Sequence, residues 1–182
     1  MSNKYKIFTA LAILLISLAG FYFFVGNKNE SEFLKNEKTV VAEIVALSIL
    51  CQPVTEYYSI VWRNSIYKEG TFYNGQYKFM EFSKALPIIQ KELENSINAI
   101  IRRENTVDSL MKAISNPPRK YMDAYNETVR LYGLSTEFST LTKNPSGSFN
   151  SFSDKTIVLP TSIMKLAKEI IIRLPTEEIN KK

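Results

Sequence analysis

The chain has no histidine and a single cysteine, Cys51. A zinc site, a Ser-His-Asp triad and a Cys-His dyad are therefore each missing an essential member. One cysteine also excludes an intrachain disulfide, so stability has to come from helix packing. Aspartate occurs only as Asp108, Asp123 and Asp154. The glutamates sit mostly on solvated helix faces, and no carboxylate pair can be placed across a cleft, so an acid-base hydrolase has no support. No cofactor or metal is called for, and the chain reads as non-enzymatic. Glycine and proline are scarce, at 6 and 7 of 182 residues. No Asn-Gly or Asp-Gly pair lies between alternating runs, which favours an all-α fold. Charge is nearly balanced: the net +5 falls to +3 without Lys4 and Lys6, far from a nucleic-acid footprint. The most such an excess supports is a weak attraction to anionic lipid heads or cell-wall polymers.

What the chain does have is a run, residues 7–26, with no charge and no proline. As a helix it reaches roughly 30 Å, the thickness of a bilayer's hydrocarbon core. Lys4 and Lys6 precede it, and positive charge stays on the cytoplasmic side, so the expectation is a single-pass, N-in/C-out signal anchor. The competing reading is a signal peptide cleaved near Ala19, after Ser17-Leu18-Ala19, with secretion of the rest. The apolar run continues past that site through Phe21 to Val25, which favours the anchor. Leu18-Ala19-Gly20 opens like a lipobox, but Phe21 stands where the lipidated cysteine would be. The expected organisation is a cytoplasmic stub (1–6), the span (7–26), a polar juxtamembrane segment (27–38), an extracytoplasmic domain (39–175) and a tail (176–182).

Beyond the span, Val40, Ile44, Leu47, Cys51, Val54, Tyr58 and Val61 step by four and three, one face of a bundle helix over about 30–67. Residues 40–50 are apolar, but the stretch is short and contains Glu43, so a buried face is preferred to a second span. Glu43 is also the expected seat of a shifted pKa or of an interhelical contact. Pro53 predicts a kink. Gly70 and Asn74-Gly75 mark a turn. A second helix over about 76–115 carries Phe79, Phe82, Leu86, Ile89, Ile100, Val107 and Ile114 on its stripe, with Pro87 bending it or opening its main part. A third (118–142) places Tyr121, Tyr125, Val129, Tyr132 and Phe138 inward. After a loop at 143–154, a fourth (154–174) uses Ile157, Ile163, Leu166 and Ile170, interrupted at Pro160 with Thr161 as a cap. The result is an antiparallel bundle of about four helices, two long and two shorter, with the first hairpin's tip projecting outward.

Two surfaces follow. Nine aromatic residues fall between Tyr57 and Phe82 at the distal tip. Trp62, Arg63, Tyr67, Lys68, Phe72, Tyr73 and Tyr77 form a candidate binding surface for a protein or cell-wall polymer, against the alternative that the aromatics close the core. At the other end Lys112, Arg119, Lys120 and Arg173 form a candidate basic, membrane-proximal set, against the alternative of ordinary cations at helix ends. The segment Asn144-Pro145-Ser146-Gly147-Ser148 has the small residues of an anion nest but lacks a phosphate loop's lysine and strand, and a connection with Gly147 at positive φ explains it equally well. Cys51, on the apolar stripe, reads as a core residue rather than a nucleophile.

Three motifs recur in order: Val61-Trp62-Arg63-Asn64-Ser65-Ile66-Tyr67-Lys68, then Asn116-Pro117-Pro118-Arg119-Lys120-Tyr121, then Asn144-Pro145-Ser146-Gly147-Ser148 with Ser151-Phe152. In this the chain resembles a group of uncharacterised exported proteins from Gram-positive bacteria. The resemblance covers about residues 40–171 and implies an exported, membrane-anchored helical domain, with Phe21 departing from the lipidated members. It carries over no functional residue. The functional expectation is an envelope interaction module. The alternatives are a structural or regulatory accessory of another membrane protein acting through the span and the membrane-proximal face, and more remotely an envelope hydrolase. Oligomeric state is not readable from these residues.

Overall fold

Helix α1 (Asn3–Ile66) runs as one 64-residue element from the N-terminal apolar segment into the domain. The computed structural model describes residues 3–73 and 76–175, with side chains at 29–71, 73, 76 and 78–175. The span expected at 7–26 is helical in backbone, and its side chains lie outside the described ones, as does the tail at 176–182. After α1 come β1 (Thr71–Tyr73), β2 (Gln76–Lys78), α2 (Phe82–Glu92), α3 (Glu94–Ala113), a 3-10 turn (Arg119–Tyr121), α4 (Met122–Lys143) and α5 (Phe149–Arg173).

The expected all-α bundle is what forms. α1 packs against α3, α4 and α5, and α4 packs against α5. All seven stripe residues of α1, from Val40 to Val61, are buried, so the interior is organised along one face of that helix. The stretch Asn29–Ile66 is itself long and apolar enough for a span, but a bundle's core helix passes the same test, and here its stripe is occupied by neighbouring helices. Three outlying stripe assignments fail: Phe79, Val129 and Ile157 are exposed. Phe79 precedes α2 instead of lying within it, and Phe152 and Leu159, not Ile157, face inward from α5.

The prolines do not end the helices that contain them. α1 continues through Pro53, and α5 through Pro160, where Thr161 Oγ1 donates to the Ile157 carbonyl at 2.8 Å instead of capping a new helix. Pro53 and the Ile49 whose carbonyl it leaves unpaired both face solvent, where water can serve that oxygen. The long second helix divides at Leu93 (φ −93°, ψ 7°) and not at Pro87.

The tip differs too. The sequence offers no alternating runs around Asn74-Gly75, yet β1 and β2 pair antiparallel, Thr71 with Lys78 and Tyr73 with Gln76. Strands of three residues are too short for alternation to stand out, but its outcome is present, since Thr71 and Tyr73 both point inward. Asn74 and Gly75 themselves lie outside the described residues. A two-stranded hairpin is marginal alone. This one is tied to α1 by the Asn64 amide meeting Thr71 Oγ1 at 3.1 Å, and by Ser65 Oγ donating to the Met80 carbonyl at 2.8 Å just beyond β2.

α5 begins at Phe149, five residues before the expected start, because Ser148 caps it by accepting from the Ser151 amide at 3.2 Å. Gly147, at φ 93°, sets that cap up. An added methyl would meet only Ser151 side-chain atoms at 3.9 Å, so Gly147→Ala should destabilise by about 1 kcal/mol through backbone strain alone. Gly133, inside α4 with nothing within 4 Å of an added Cβ, should respond oppositely. Gly133→Ala is expected to stabilise by about 0.5–1 kcal/mol. Urea denaturation of the two variants checks both signs.

Candidate functional site

The tip aromatics divide. Trp62 is half-buried, its ring stacked on Phe82 with centroids 4.1 Å apart and planes 6° apart, and tilted against Phe152 (5.5 Å) and Phe149 (6.3 Å). Tyr73 is 1 % exposed. These two close the core and are removed from the expected surface, because an aromatic at the junction of α1, α2 and α5 buries more apolar area inward than outward. Arg63, Tyr67 and Lys68 are exposed, and Lys68 ends α1 at φ 59°. The side chains of Phe72 and Tyr77 lie outside the described ones. The earlier start of α5 brings its first turn against Trp62, whose ring centre lies 6.3 Å from that of Phe149.

At the opposite end the antiparallel order carries the 3-10 turn and the end of α5 back to the start of the bundle. Lys120 is ion-paired with Glu30 and lies 5.0 Å from the Tyr121 ring centre, and Tyr121 stacks on Phe33 at 5.8 Å. Lys38 Nζ donates to the Pro175 carbonyl at 2.9 Å. Lys112, Arg119 and Arg173 are exposed. Two of the four stand at different levels: the Lys120 contact is at Glu30, and the α5 end that carries Arg173 is at Lys38, about 12 Å further along α1.

Glu43 meets Arg103 across the α1–α3 interface at 2.7 Å, the interhelical contact anticipated for it. The carboxyl that burial displaces is Glu37, which sequence periodicity did not single out. It is fully buried and accepts from Thr128 Oγ1 at 3.0 Å through Oε1, while Oε2 has no partner among the described residues. Burial raises its pKa to about 7, and the Thr128 hydrogen bond only partly opposes this.

Cys51 is completely buried, and burial pushes its thiol up to about 11. It should resist maleimide in the folded protein and react only on unfolding; fast labelling under native conditions would contradict this placement. Among the described residues no three acidic, cysteine or histidine side chains gather as a metal-ligand set.

Among the described residues there is an apolar opening that sequence reasoning missed. Between α1 and α5 runs a groove of about 810 Å³ lined by Val41, Ala42, Val45, Met164, Lys165, Ala167, Lys168, Ile171 and Ile172. Further toward the tip the same helix pair borders a smaller opening of about 310 Å³, less apolar than the groove, that includes Gln52, Glu56, Ser153 and Ile157. Ile157, Met164 and Ile171 recur every seven residues and are 65, 48 and 44 % exposed, while Phe152, Leu159, Ile163, Leu166 and Ile170 cover the buried side. The signal was in the sequence. Ile157-Val158-Leu159 and Ile170-Ile171-Ile172 are triplets of adjacent aliphatics, and at 100° per residue three neighbours cannot all face one core.

Comparison with family models, curated proteins and solved structures finds no match for this chain.

Proposed function

We propose that the protein is a non-enzymatic, membrane-anchored interaction module of the cell envelope. Residues 7–26 act as its anchor in membrane lipid, and the α1–α5 face is its contact surface. One observation carries this reading: α5 has two apolar faces and the bundle uses only one. The groove is lined almost wholly by apolar side chains with two lysines among them, the make-up of a binding cleft. The position fits an accessory of another envelope protein, since the groove opens on the side of the bundle nearer the anchor. The resemblance of the motif series to exported proteins of Gram-positive bacteria points to the same compartment. A photo-crosslinking amino acid at Met164, in intact cells, should yield a discrete adduct with another protein. Absence of any protein adduct from Met164 and from Ile172 overturns the proposal.

The tip supports a second contact. Ile66, Tyr67 and Phe79 are all at least half exposed, and Arg63, Lys68 and Lys78 are exposed around them. Of the expected surface, Arg63, Tyr67 and Lys68 remain exposed among the described side chains; joined by Ile66, Lys78 and Phe79, they suit a polymer or peptide ligand. Tyr67→Ala with Phe79→Ala should weaken retention on purified cell wall with little loss of stability; unchanged retention removes the tip from consideration.

A further inference from the structure

We infer that the α1–α5 groove receives an amphipathic helix with an acidic flank, contributed by a different protein. The inference rests on the interaction-module reading and names the partner's chemistry. The floor and walls are aliphatic: Val45 from α1, with Met164, Ile171 and Ile172 from α5. Ile157, Met164 and Ile171 form a ridge with a seven-residue repeat, rising about 21 Å over fourteen residues and drifting about 20° round the helix per repeat; Met164 and Ile171 line the groove and Ile157 the opening beyond it. A groove between two packed helices, with an aliphatic ridge along one of them, is the kind of trough that an amphipathic helix fills with its apolar face.

Charge selects among helices. The groove's two ionisable lining residues are Lys165 and Lys168, no carboxylate lines it, and neither lysine has an ion-pair partner among the described residues. A helix seated there with glutamates or aspartates along its edge pairs with both lysines, and one with a basic edge is repelled. The same lysines disfavour a second copy of this chain. Two copies anchored in one membrane stand parallel, and a two-fold axis between them sets Lys165 and Lys168 against their own counterparts.

Position disfavours lipid. α1 is continuous from Asn3 to Ile66, so Val41 lies fifteen residues, about 22 Å, beyond residue 26 along the helix. The polar layer of a bilayer extends only about 5 to 8 Å beyond the hydrocarbon. With residues 7–26 as the span, the groove stands clear of the headgroups.

The test uses the full chain in phosphatidylcholine nanodiscs and two fluorescent helical peptides with the same leucine heptads, one flanked by glutamate and one by lysine. Anisotropy should show the glutamate peptide binding at least tenfold tighter, with the advantage shrinking as salt rises. The double variant Lys165→Glu/Lys168→Glu, altered only at exposed positions, should reverse the preference, and Met164→Asp should abolish binding of both. Equal binding of the two peptides, or a preference indifferent to the lysine reversal, overturns the inference. So does dimerisation of the chain that Ile172→Asp disperses, or capture of phosphatidylglycerol vesicles through this face. Failure here with a protein adduct still forming at Met164 leaves the interaction-module reading standing and removes only the acidic-helix partner.

Discussion

Trp62→Ala should lower the domain's stability by about 3 kcal/mol, the low end for losing a large aromatic because the indole is only half-buried. The ring bridges the starts of α2 and α5, stacked on Phe82 and tilted against Phe149 and Phe152. Its removal takes away the offset stack and leaves a void where three elements meet. A small domain has some 5–15 kcal/mol of total stability, so this is a large fraction. The loss should be local first. The hairpin of β1 and β2 depends on α1's last turns, and limited proteolysis at 67–81 should speed up before global unfolding does. Tyr67→Ala, five residues on and 68 % exposed, should change stability by less than about 0.5 kcal/mol. Urea unfolding of the full chain in detergent checks the pair. If Trp62→Ala costs no more than Tyr67→Ala, the stack does not hold the tip.

Glu37→Gln should stabilise the protein by about 3 kcal/mol at pH 8 and by little at pH 4. Glu37 has a pKa of about 7 in the folded state against 4.5 when unfolded, so between those values the folded state holds a proton that the unfolded state has released. Stability then falls as pH rises, at about 1.4 kcal/mol per unit, and levels off once the pH exceeds the folded value. The contribution is fully present below about 4.5 and lost by about 7. Glutamine retains an acceptor for the Thr128 hydroxyl at 3.0 Å and carries no charge to desolvate, so the slope should disappear. Denaturation midpoints of both proteins from pH 4 to 8 give the answer, and parallel curves for the two would show that Glu37 is not the titrating group.

How much of this was legible beforehand differs by element. The seven α1 positions expected to be buried are all buried, because apolar residues in steps of four and three leave one geometric solution, a buried face along a helix; Phe33, Glu37 and Val41 extend that face beyond what was read. The prolines did not mark helix boundaries: α1, α2 and α5 continue through Pro53, Pro87 and Pro160, and Pro53 and Pro87 are exposed, where water can serve the carbonyls they leave unpaired. The hairpin was missed because six strand residues carry too little pattern. Glu37 escaped notice because it lies in a polar, lysine- and glutamate-rich stretch, and its burial depends on α4 crossing at Thr128.

From the sequence alone came the helical class, the orientation expected of residues 7–26 from Lys4 and Lys6, and the absence of histidine chemistry, because hydrophobic period, charge placement and residue inventory are local properties. Only the tertiary structure decided which aromatics close the core and which remain outside, that Glu37 and not Glu43 is the buried carboxyl, and that α5 keeps a second apolar face uncovered. Each of these depends on which helix lies opposite, and a helix's own sequence specifies how many apolar faces it has, not how many neighbours arrive to cover them.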